Sequence, residues 1–220
     1  MLASKYRRCW LLLLAWAAWG QLPAHAQAPK LNYGLAQPQD PATLPQAQAP
    51  SIAPTRRAKV PPRTVLAAAP DGQFRLTQGW ELAAANQVPA AGAAISRAAF
   101  SSASWYNATV PGTVLTSLID QGVYPDPYIG LNNLRIPDTL ARQPWWYRIR
   151  FRVPAARRGQ SAWLLFEGIN YQADVWLNGQ RLGTIKGAFR RGEFDISQRL
   201  NAAGDNVLAV RILPPPHPGV

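Results

Sequence analysis

Cysteine, histidine and acidic side chains are the scarce groups in this 220-residue sequence. A single cysteine, Cys9, excludes an intrachain disulfide framework and a cysteine-based zinc cluster. The two histidines, His25 and His217, lie near opposite ends. A histidine-rich metal site or a Ser-His-Asp triad therefore has almost nothing to work with. Charged residues make up only 15% and are lopsided, with 23 Lys plus Arg against 11 Asp plus Glu and a net charge of +12. With 48% hydrophobic residues, the chain is neither a solvated disordered polymer nor a coiled coil. The sequence also lacks a Gly-rich phosphate loop and an EF-hand loop.

Tryptophan and proline are plentiful instead, at nine and 21. Trp at that density points to a packed β core or to flat surfaces for sugars, bases or peptides.

The first 26 residues read as a signal peptide. Lys5, Arg7 and Arg8 form a basic start, and Trp10 to Trp19 is a short apolar run. Ala24-His25-Ala26 supplies the small-x-small pattern of a signal-peptidase site, with cleavage after Ala26. The apolar run is too short for a stable membrane span, which needs about 20 residues. Cleavage would remove Cys9 and lower the net charge to +9, because Lys5, Arg7 and Arg8 leave with it. The expectation is an exported protein, periplasmic or secreted.

Residues 27–70 carry nine prolines among many Ala and Gln. No period of 2 or 3.6 survives there, so this stretch is expected to be an extended, disordered linker. Arg56, Arg57, Lys59 and Arg63 make its basic cluster. That cluster reads either as a solvated tail or as a contact for an anionic envelope polymer. Export disfavours nucleic acid as the partner.

Residues 71–220 amount to one domain. FRLTQGWELAAA (74–85) reads as short strands joined at Gln78-Gly79. TVLTSLIDQG (113–122) has apolar residues at helical spacing and a closing Gly122, so one short helix is expected. The Pro-, Gly- and Asn-rich stretch 123–138 follows as a long loop. Tyr147, Ile149, Phe151 and Val153 alternate with Arg148, Arg150 and Arg152, which predicts a strand with one buried and one wet face. SAWLLFEG (161–168) is a second strand. Tyr171 to Leu177 alternates again and meets Asn178-Gly179, a strong hairpin turn before the return strand 180–186. Residues 190–196 and 205–213 complete the set. This is an all-β chain, and a jelly-roll β-sandwich is the expected fold.

A retaining glycosidase needs two carboxylates about 5 Å apart. Glu81, Glu167, Glu193 and seven Asp are available in the folded part, none in a recognisable acid/base motif. Each reads more simply as a partner for the many arginines. Trp163 and Trp146 are expected in the core. Trp176, beside Asp174 and Asn178 on the polar-alternating face, reads as core or as a stacking shelf for a pyranose. The loop 125–133 collects Asp126, Tyr128, Asn132 and Asn133, which suit a hydroxyl-rich ligand or a self-satisfied Asx-turn. A third reading makes Arg148, Arg150, Arg152 and the tail a basic binder of anionic polymers.

The runs VPGTVLTSLIDQGVYPDPYIGLNN (110–133), WWYRIRF (145–151), LLFEGINYQADVWLNGQRLG (164–183), AFRRGEFDIS (188–197) and NVLAVRILPPPHPG (206–219) resemble the N-terminal sugar-binding domain of glycoside hydrolase family 2. The exo-β-D-glucosaminidase and β-mannosidase-like branch is the nearest in pattern. The resemblance implies a galactose-binding-like jelly roll beside immunoglobulin-like domains and a (β/α)8 barrel that holds both catalytic Glu residues. It implies β-linked glycosides as ligands and no cofactor, although a jelly roll can hold a structural Ca²⁺. Asp126, Asn132, Asn133, Trp176, Arg190 and Arg191 are the substrate-binding candidates. The position of a sugar-binding carboxylate in the β-galactosidase branch is matched by Gly187. No Asn-Glu catalytic pair is present in the sequence. The expectation is therefore an accessory domain of an exported retaining exo-β-glycosidase, truncated before its barrel and lacking catalytic residues of its own. The alternative is a stand-alone carbohydrate-binding module of the cell envelope.

Overall fold

A computed structural model describes residues 64–66, 68–70 and 72–215; the expected signal peptide and nearly all of the expected linker lie outside the described residues. Among the described residues nine strands form two sheets: β1 (Thr64–Val65), β2 (Trp80–Ala84), β3 (Tyr106–Asn107), β4 (Trp145–Arg152), β5 (Trp163–Phe166), β6 (Gln172–Leu177), β7 (Gln180–Lys186), β8 (Gly192–Asp195) and β9 (Asn206–Leu213). The large sheet runs β3-β2-β4-β9-β6-β7, with β1 added in parallel to the end of β4. The small sheet is β5-β8. All other ladders are antiparallel.

Alternation sorts the strand residues onto faces. Trp145, Tyr147, Ile149 and Phe151 of β4 join Leu208 and Val210 of β9 and Ala173, Val175 and Leu177 of β6 in the main core. Leu164 of β5 and the partly buried Phe166 and Phe194 close that core from the small sheet. The two phenyl rings meet edge to face at 6.2 Å. Gly192 lies against Ile185, so close that a Cβ there would sit 2.2 Å from Ile185 Cδ1. The two sheets thus make the expected sandwich.

The Asn178-Gly179 turn forms as expected, with φ of 51° and 88°. The short helix also forms. It is α2 (Val114–Asp120), capped by the Thr113 side chain, which accepts from Thr116 N. It ends at Gly122, whose φ is +69°. Two further single turns, α1 (Gly92–Ile95) and α3 (Thr139–Arg142), correct the expectation of one helix. Four residues are too few to display a 3.6-residue period. β1 lies inside the stretch read as linker, because two residues are too few to display an alternation.

The larger correction concerns β4. Its arginine face was expected to be wet, yet Arg148 is only 2% exposed. Residues 85–105, including α1, fold over this face and build a second core from Ala83, Ile95, Trp105, Trp146 and Ala209. Trp146 is buried as expected. Trp163 is not: it points outward from β5 and is 60% exposed.

Tyr147 lies in the main core, with its ring edge-to-face against Trp80. Burial pushes its hydroxyl up to about 12, against a smaller downward pull from its hydrogen bond with Ser117. The folded value lies above the unfolded value near 10, so the neutral phenol contributes stability in full below pH 10. That contribution is lost as pH rises from about 10 to 12. Alkaline denaturation in this window is expected to be blunted in Tyr147→Phe, which would show in urea midpoints measured at pH 8 and pH 11.

Candidate functional site

The registers Trp145 with Ile212, Ile212 with Ala173, and Ala173 with Ile185 align one end of the large sheet. The segments 139–144, 167–171, 187–191 and 213–215 therefore gather at that end. The long loop 123–138 leads into α3, which is tied to β4 where Trp145 Nε1 donates to the Leu140 carbonyl at 3.0 Å.

Two groups of expected site residues sit on these loops. In the first, Asp126 accepts from Tyr128 N at 2.9 Å, and Asn132 Nδ2 donates to the Asp126 carbonyl at 3.0 Å. Asn132 is buried, while Asn133 is exposed. The Asp126 and Asn132 contacts close the loop on itself, as an Asx-turn does. They leave Asn133 and the ring of Tyr128, 94% exposed, to face outward. In the second group, Arg191 Nε pairs with Glu167 Oε2 at 3.1 Å, both well exposed. Arg190 lays its stem against Gly187, whose φ of +122° a side chain rarely adopts. Phe189 between them is fully exposed.

Trp176 lies apart from both groups, on the second face of the large sheet. Its indole is 5.3 Å from that of Trp146. The backbone of Gly92 rests on the ring, where a Cβ would come within 2.4 Å of its atoms. One face of the indole is thus covered, so it is not a bare sugar shelf. A cleft of about 350 Å³ opens beside it, walled by residues 85–92 and floored by Trp146, Trp176 and Arg211. Sequence reasoning passed over Arg211. The only available sign was one cation in the otherwise apolar run NVLAVRIL.

Arg148 is the hub of the covered face. Its guanidinium donates to Glu81 and to Ser102 Oγ, and to the carbonyls of Ile95, Arg97 and Phe100. Burial pulls its pKa down, opposed by the attraction of Glu81. Arg152 and Arg150 both pair with Asp205, at 2.6 and 3.7 Å. This corrects the reading of Arg148, Arg150 and Arg152 as a basic polymer-binding face: one is buried and the other two are ion-paired.

Most of the other described carboxylates are also engaged, Glu193 on β8 being exposed. Asp174 accepts from Arg181 and Thr184. Asp138 pairs with Arg142 at 3.5 Å, and Asp120 accepts from Thr109. Asp195 accepts from Ser197, through both its hydroxyl and its amide, and these bonds hold its carboxyl below the usual range. Among the described residues no group of three or more His, Cys, Asp or Glu is placed to hold a metal ion. No described helix is long and apolar enough to cross a membrane.

Comparison with known proteins places this arrangement in context. The chain is 37% identical over 155 residues to a mannosylglycoprotein endo-beta-mannosidase of Lilium longiflorum, covering 67% of this chain and 16% of that protein. It is 32% identical over 157 residues to an exo-beta-D-glucosaminidase of Streptomyces avermitilis, covering 70% of this chain and 17% of that protein. The crystal structure of the exo-chitosanase CsxA of Amycolatopsis orientalis superposes with a TM-score of 0.57 at 29% identity, over 63% of this chain and 16% of that one. The chain therefore spans about one sixth of the length of these relatives. The family described as glycosyl hydrolase 2 galactose-binding domain-like matches residues 80–219, well over half of the sequence, and the chain belongs to that family.

Proposed function

We infer that this chain serves as the non-catalytic, sugar-binding accessory domain of an exported retaining exo-β-glycosidase, of the β-glucosaminidase or β-mannosidase type. The observation that carries this reading is the engagement of most of the described carboxylates; Glu193 stands exposed on β8 without a side-chain partner among the described residues. Glu81, Glu167, Asp138, Asp174 and Asp205 are paired with arginines, and Asp120 and Asp195 accept from hydroxyls. An acid/base pair for glycoside hydrolysis needs one carboxyl held protonated and a second held ionised beside it. Carboxylates held by guanidinium groups are already occupied by those partners.

The loops suit a rim. Tyr128, Ile129, Leu131 and Leu134 on the loop 123–138 and Phe189 on the loop 187–191 are large apolar side chains left exposed. Clustered exposed apolar side chains mark an interaction site. We assign it to immunoglobulin-like and barrel domains of the same enzyme, with Asn133, Arg190 and Arg191 as its polar contributors toward a β-linked glycoside. This favours an accessory domain over a free-standing binding module, whose apolar surface would remain wet. Export rests on the Ala24-His25-Ala26 pattern and the basic start of the chain.

The test is an assay of the purified chain on chromogenic β-glucosaminides and β-mannosides. No turnover above buffer is expected. A rate that co-purifies with the chain and saturates with substrate would sink the reading. Calorimetry with chito- and manno-oligosaccharides decides between the two roles: a Kd tighter than ~1 mM, about −4 kcal/mol, would favour the free module.

A further inference from the structure

The cleft beside Trp176 carries a second assignment, independent of the sugar-binding reading. Its wall is aliphatic: Ala85, Val88, Pro89, Ala90 and Ala91, ending at Gly92 against the indole. Its one charged lining group is Arg211. The guanidinium is held over the ring of Trp146, 5.9 Å from the centroid. Arg211 Nε is buried and has no hydrogen-bond partner. Enclosed in this way, Nε is not open to a ligand, and the two terminal amino groups of the guanidinium are the donors on offer. The carboxylate alongside it in the β6–β9 ladder is Asp174, whose Oδ1 takes Arg181 and Thr184 instead.

We propose that this cleft binds a compact organic carboxylate carrying an apolar ring, with the carboxylate on Arg211 and the ring between the aliphatic wall and the indole edges. Three features select that chemistry. A guanidinium offers parallel N–H donors that match a carboxylate. Stacking on Trp146 fixes the guanidinium in advance, so less freedom is lost on binding. The aliphatic wall offers no side-chain hydroxyl, amide or carboxylate to satisfy a ring of hydroxyls, so a saccharide is disfavoured against an apolar body of the same size. A volume near 350 Å³ accepts one six-membered ring and its carboxylate.

The experiment uses the full chain and cyclohexanecarboxylate as the probe, followed by the indole N–H signals in two-dimensional NMR. The signals of Trp146 and Trp176 are identified through Trp146→Phe and Trp176→Phe. They are expected to shift saturably with cyclohexanecarboxylate and at least tenfold more weakly with its neutral isostere, cyclohexylmethanol. Glucuronate is expected to bind at least tenfold more weakly than cyclohexanecarboxylate. Arg211→Gln is expected to weaken the probe at least tenfold. The neutral isostere tests the same ion contact in the unaltered protein, so the result does not depend on that variant folding. Equal binding of the isostere, or shifts confined to other indoles, would overturn the assignment. Equal binding of glucuronate would overturn its apolar part.

Discussion

Replacing Arg148 with methionine is expected to cost about 3–5 kcal/mol of folding stability, the range for removing one member of a buried ion pair. The side chain is 2% exposed and is the largest of the fully buried side chains. Its loss removes the donor shared by two pieces of chain: Glu81 on β2, and Ser102 with the carbonyls of Ile95, Arg97 and Phe100 in the covering segment. Those carbonyls belong to the segment that covers the second face, so the whole cover loosens at once. A Tm fall of roughly 10 °C is expected for a domain of this size. Arg152→Met is the control. Arg152 is half exposed, 2.6 Å from Asp205, and its loss is expected to cost about 1 kcal/mol or less. Urea denaturation of both variants decides the matter. If Arg148→Met lies within 1 kcal/mol of the unaltered protein, the hub has been misread.

Asn206→Leu is expected to cost about 3 kcal/mol, because it strands several buried groups at once. Asn206 is fully buried. Its Oδ1 accepts from Asn178 Nδ2 and from Asn201 N, and its Nδ2 donates to the Asn201 carbonyl. Asn178 Oδ1 in turn accepts from Val207 N. The two amides thus lock the β6–β7 turn to the start of β9. Asn178→Gly separates two contributions, because glycine tolerates the φ of 51° while supplying no side chain. A loss in that variant comparable to Asn206→Leu would place the energy in the amide pair. A loss of only a few tenths of a kcal/mol would place it in the turn conformation instead.

The strands were legible because their information is local. Alternation fixes which side chains share a face, and Asn178-Gly179 fixes a turn; both survive translation into coordinates. The covered face of β4 was not legible. Arg148, Arg150 and Arg152 alternate in the same way whether the face meets water or another segment. The covering segment, 85–105, is rich in small residues and carries no long period. Trp163 failed for a related reason: in WLLF every residue is apolar, so the sequence does not say which alternate pair faces inward. The candidate site was legible as loops and not as geometry. Asp126 and Asn132 come together as the sequence suggested, but their polar groups are turned to the loop's own backbone. Arg211 and Gly92 escaped because their meaning arises only when β9, β6 and the 85–92 segment meet.

The direction of two strands sets where neighbours attach. Thr64 enters beside Phe151, at the far end of β4 from Trp145. β9 finishes at the opposite end, where Ile212 faces Trp145. At about 3.3 Å per residue, entry and exit are separated by roughly 20 Å. A tag joined directly to residue 64 therefore starts at the end of the sheet away from the segments 139–144, 167–171 and 187–191, whereas anything fused directly after Leu213 starts beside them. Immobilisation from the leading side leaves those loops unobstructed, and fusion from the trailing side crowds them.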